Sequence, residues 1–64
     1  MSEELRMFTV REVAEILRVS PRTVRRLIKR GEIKAVRVSR RLVRIPVGEL
    51  RAYIARVSQS LVNQ

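Results

Sequence analysis

Apolar residues recur at helical spacing in three places along the chain and alternate in two others. Val10, Val13, Ala14 and Leu17 share one face of a helix. So do Val24, Leu27 and Ile28, and later Leu50, Tyr53, Ile54 and Val57. Between the second and third stripes, Val36-Arg37-Val38 and Val43-Arg44-Ile45 alternate apolar with polar, the period of two strands. The order predicted is two short helices, a β-hairpin and a third helix.

Punctuation residues sharpen these boundaries. Thr9 and Glu12 form a capping box, in which the hydroxyl accepts from the Glu12 amide and the carboxylate reaches back to the Thr9 amide. Phe8 and Val13 occupy the two positions of a hydrophobic staple, and this helix runs to about Arg18. Ser20 is a good N-cap, and Pro21 suits the first helical position, where a missing N–H costs nothing. Gly31 fits the left-handed position that ends a helix. Two short helices joined by so few residues make a helix-turn-helix. The hairpin tip, Ser39-Arg40-Arg41-Leu42, contains neither Gly nor Asn, so its turn type is not assigned from sequence. Pro46 ends the second strand, and the third helix begins near Val47. The expected organisation is a flexible arm over residues 1–7, one domain over 8–57, and a tail over 58–64 that extends the helix or frays. The fold class is mainly α with a small β-hairpin: a winged helix-turn-helix.

Composition narrows the chemistry. A chain of 64 residues makes one small domain that buries only about 60% of its unfolded surface. It has no Cys and no His, which removes disulfides and the usual zinc ligands. The acidic start, Met1-Ser2-Glu3-Glu4, is not a secretory leader, and no apolar run is long enough to span a membrane. A cytoplasmic protein is expected, with no membrane partner, cofactor or small-molecule ligand.

Charge changes the picture most. The net charge is +9, and its distribution is uneven. Arg18 to Arg44 holds eleven basic residues and one acid, Glu32, whereas the rest of the chain holds four basic and five acidic residues. A basic centre between near-neutral ends is the footprint of a polyanion-binding surface. Thirteen of the fifteen basic residues are Arg, whose fork matches phosphates and guanine edges.

The candidate site follows. Arg22, Arg25, Arg26 and Lys29 fall at i, i+3, i+4 and i+7 on the outer face of the second helix, and Arg30 adjoins them. A charged face is usually just solvated, but here the acids that would lace it with salt bridges are missing, and like charges at this spacing repel. A partner that relieves the repulsion is the better reading. In that reading the helix enters the major groove: Arg22 and Arg26, in its N-terminal half, suit guanine edges, and Lys29 and Arg30 suit phosphates. Arg37, Arg40 and Arg41 place charge on the hairpin, as a wing towards the minor groove or flanking phosphates, or simply as exposed turn residues. Thr23 and Ser39 either donate to phosphates or serve local structure. Ser20 is a cap and Tyr53 belongs to the core. Glu12 and Glu15 lack any base, nucleophile or metal ligand to work with, so no enzyme and no metal site are expected.

From Phe8 to about Ile54 the chain resembles the excisionase group of small winged helix-turn-helix proteins, relatives of the DNA-binding head of MerR-type regulators. The resemblance is carried by Thr9-Val10-x-Glu12-Val13-Ala14-x-Ile16-Leu17, Val19-Ser20-Pro21-Arg22-Thr23-Val24, Ile28-x-Arg30-Gly31-Glu32-Ile33, and Arg44-Ile45-Pro46 followed by Leu50. Three positions depart from the group. Arg25 stands where an aromatic is frequent, the wing tip lacks Gly, and Val47-Gly48 replaces a polar cap on the third helix. The resemblance implies a recombination directionality factor in a prokaryotic or phage-infected cell. Such a protein binds and bends double-stranded DNA so that an integrase, a further partner, excises a phage or mobile element. The chain is too short for the dimerising coiled coil of MerR-type regulators, so a monomer, or head-to-tail association on repeated sites, is expected. The alternatives are a small transcriptional regulator of the same fold and, from another class, a non-specific polyanion or RNA-binding adaptor. Against the adaptor, the chain offers no aromatic platform for single-stranded bases.

Overall fold

The computed structural model describes residues 6–62. The elements run β1 (Met7–Phe8), α1 (Val10–Leu17), α2 (Pro21–Lys29), β2 (Val36–Arg37), β3 (Val43–Pro46) and α3 (Val47–Val62).

Both early helices begin as their sequences dictate. At α1, the Glu12 amide donates to Thr9 Oγ1 at 3.0 Å and the Thr9 amide donates to Glu12 Oε1 at 2.9 Å, completing the capping box. The bond from the Thr9 amide holds the Glu12 carboxyl below its ordinary pKa; desolvation opposes it, and the Thr9 hydroxyl and the nearby Arg6 and Arg44 add to the lowering. The stabilisation that Glu12 brings is therefore in place above the usual carboxylate range and is lost as pH falls through its lowered folded-state value. At α2, the Thr23 amide donates to Ser20 Oγ at 3.2 Å, and Pro21 fills the first turn.

The helices also end alike. In each, the last turn is closed by paired amide-to-carbonyl bonds around one left-handed residue. Val19 N–H donates to Ala14 C=O and Arg18 N–H to Glu15 C=O at the end of α1. Glu32 N–H donates to Leu27 C=O and Gly31 N–H to Ile28 C=O at the end of α2. Gly31 has φ 80°, as its sequence position suggests. At α1 the same role falls to Arg18, with φ 59°, so the helix stops one residue before the end expected of it.

Three short strands form an antiparallel sheet in the order β1-β3-β2. Met7 pairs with Pro46 and Phe8 with Ile45, while Val36 pairs with Arg44 and Arg37 with Val43. The hairpin tip is closed by the Leu42 amide on the Ser39 carbonyl, and the Val38 and Ser39 amides share the Leu42 carbonyl, the pattern of a β-bulge. No tip residue has positive φ, so the turn needs no glycine.

The core gathers Val13, Ala14, Val24, Ile33, Ile45 and Leu50, with Phe8, Val10, Leu17, Leu27, Ile28, Ala35 and Tyr53 packed around it. Ile33, in the loop after α2, is buried there although no periodic stripe contains it. α1 packs on α2, and both α1 and α3 touch β3, so the central strand holds the domain together.

One expected boundary moves. Met7, expected in the flexible arm, pairs in the sheet, and the neighbouring Arg6 carbonyl accepts the Val47 amide at 3.0 Å. Of the two courses expected for the tail, extending the helix is the one seen: α3 runs on through residues 58–62. Residues 1–5 of the arm, including Glu3-Glu4, and residues 63–64 of the tail lie outside the described residues.

Candidate nucleic-acid interface

The second helix presents Arg22, Arg25, Arg26 and Lys29 to solvent because Val24 is fully buried on the opposite face and Leu27 and Ile28 pack beside it. The capping hydroxyl of Ser20 and the ring of Pro21 fix where this face starts, and Gly31 fixes where it stops.

Tertiary structure then splits the cations into two groups. An open groove of about 520 Å³ lies between the first turn of α1, one side of α2 and the hairpin. Six cations line it: Arg11 from α1, Arg25 and Lys29 from α2, Arg37 and Arg41 from the hairpin, and Arg44 from the central strand. Thr9, Val10, Ile28 and Val43 complete the lining, which contains no carboxylate. Arg22 and Arg26 lie outside it, on the exposed remainder of the helix face.

The other expected residues have mixed placements. Thr23 is half-buried, and its hydroxyl lies 3.0 Å from Ser20 Oγ, so it takes part in the cap. Arg30 lies 3.8 Å from Glu32 in an exposed ion pair, a contact of small energetic weight. Arg40 and Ser39 are exposed at the hairpin tip, where Arg37 Nη1 donates to the Arg40 carbonyl at 2.9 Å and braces the turn. Tyr53 is half-buried against the core, with the Arg56 guanidinium 5.9 Å from its ring centre.

Sequence reasoning missed Arg11 and Arg44. Arg11 lies outside the basic central segment, and Arg44 reads as the polar member of an alternating strand. Neither carries a local signal, because only packing α1 against β3 and α2 brings them to the groove.

The arrangement gathers positive charge and hydrogen-bond donors, which suits an anion. Among the described residues no His, Cys, Asp or Glu cluster is placed to hold a metal, and no helix is long and apolar enough to cross a membrane. A family model described as a helix-turn-helix domain matches residues 7–58. No curated protein matches the chain.

Proposed function

Because the chain belongs to the helix-turn-helix domain family, which includes excisionase-like small DNA-binding proteins, we propose that it is a recombination directionality factor. The chain is a DNA-binding protein that takes double-stranded DNA. In the finer role, it binds repeated sites beside an attachment sequence, bends the duplex and directs an integrase towards excision of a phage or mobile element.

The observation that carries this reading is the continuity of one cationic surface across α2 and the hairpin. α2 lies in the major groove, with Arg22 and Arg26 at base edges, and the hairpin acts as a wing whose Arg40 and Arg41 reach the adjacent minor groove. Neutralising roughly six phosphates per protein would make log K fall with log salt at a slope of about −5. Copies associate head-to-tail on successive sites, an arrangement suited to bending.

A gel-shift titration on the DNA flanking the gene, with circularly permuted fragments, tests the role. Stepwise cooperative complexes with a large bend are expected. A single unbent complex at a promoter would instead make the protein a transcriptional regulator. Smeared complexes without sequence preference at physiological salt would reduce it to a polyanion-binding adaptor.

A further inference from the structure

We propose that the groove between α1, α2 and the hairpin is a seat for one phosphodiester of the DNA backbone, with Arg11 and Arg44 as its sequence-independent positioning contacts. This rests on the DNA-binding reading above and assigns different work to the two groups of cations.

The lining is chemically one-sided. Arg and Lys side chains only donate hydrogen bonds, and no carboxylate interrupts them. Adenine and cytosine edges present donors in the major groove and would face donors there. A phosphodiester only accepts, and its charge relieves the repulsion among six gathered cations. The volume of about 520 Å³ compares with about 30 Å³ per liquid water, which leaves room for a phosphate with its flanking sugars.

The seat is also pre-formed. Arg44 is half-buried on the central strand, and its Nη1 donates to the Val43 carbonyl at 2.9 Å, so its guanidinium loses little freedom on binding. At α1, the capping box engages the Thr9 and Glu12 amides. The Val10 and Arg11 amides are then the ones in the first turn that neither the helix nor its cap uses, and both residues line the groove. Arg22 and Arg26, outside the groove, remain for base edges.

Fluorescence-anisotropy titrations of the full chain, on the duplex flanking the gene and on a scrambled duplex across a salt series, test the proposal. Arg11→Gln and Arg44→Gln should weaken binding to both duplexes by the same factor. Each should reduce the salt slope by about 1. Arg44→Lys keeps the charge and should keep the slope, and circular dichroism identifies any variant that has lost its helices. Arg11 is exposed, so its variant reads the seat even if the Arg44 variants unfold. Unchanged slopes and affinities in Arg11→Gln would overturn the seat and leave the DNA-binding reading standing. A loss confined to the flanking duplex would show that the groove reads bases, which also overturns it. Millimolar pyrophosphate at matched ionic strength should not displace the duplex; displacement would make the groove a site for free phosphates instead. If the unmodified chain binds neither duplex, the DNA-binding reading fails and the seat falls with it.

Discussion

α2 and α3 carry the same apolar period and meet opposite fates. On α2 Val24 is fully buried, and Leu27 and Ile28 are half-buried against the core, so no residue of the stripe is left exposed. On α3 the cover gives out: Leu50 is 4% exposed and Tyr53 half-buried, but Ile54 and Val57 are 39% and 40% exposed. Periodicity reports that a helix has an apolar side; how far that side is buried depends on what the rest of the chain can lay against it. A domain this small runs out of cover after two turns of its longest helix. The polar faces differ too, since that of α2 presents four cations in nine residues, whereas that of α3 is mixed.

The largest test of this contrast lies within α3. Leu50→Ala should cost about 2–5 kcal/mol in chemical denaturation, and Ile54→Ala less than about 1 kcal/mol. Equal losses would mean that the distal half of α3 is covered in solution. Next, Arg26→Ala on α2 should weaken binding to the flanking duplex by about 1–3 kcal/mol and relax its base preference. Unchanged selectivity in competition titrations would remove Arg26 from the base-reading set. The caps come third: Ser20→Ala should destabilise by about 1 kcal/mol, because α2 starts on that side chain. The glycines give the smallest effects, with opposite signs. Gly48 lies in the first turn of α3 with open space around it, so Gly48→Ala should stabilise by about 0.5–1 kcal/mol. Gly31→Ala, at φ 80°, should destabilise by a similar or larger amount. Thermal melts of the pair would read both signs, and a stabilised Gly31→Ala would contradict the left-handed end of α2.

Much of this was legible in advance, for local reasons. Thr9, Glu12, Ser20, Pro21 and Gly31 act through neighbours a few residues away, so spacing alone identifies their roles. The features that escaped have no local cause. Arg18 takes a left-handed position usually given to glycine, because the chain must turn there for α2 to pack on α1. β1 is two residues long, too short to show alternation, and exists because β3 offers it an edge. The wing tip closes without glycine by using a bulge, and Arg11 comes beside α2 only when the two helices pack, Arg44 only when the central strand is in place. The expected cationic surface was therefore recognisable as a set of residues, while its division around a groove was not.

The bond from the Val47 amide to the Arg6 carbonyl has a consequence for the order of folding. The helix pair is built from contacts between near neighbours in sequence, which form quickly. By contrast, α3 opens on Val47-Gly48 with no polar residue ahead of it, and its first amide is met by a carbonyl from the opposite end of the domain. Closing that long loop is entropically slow. The start of α3 and the edge strand should therefore lock in together as a late event, with the cationic helix already formed and able to meet DNA before the domain is complete.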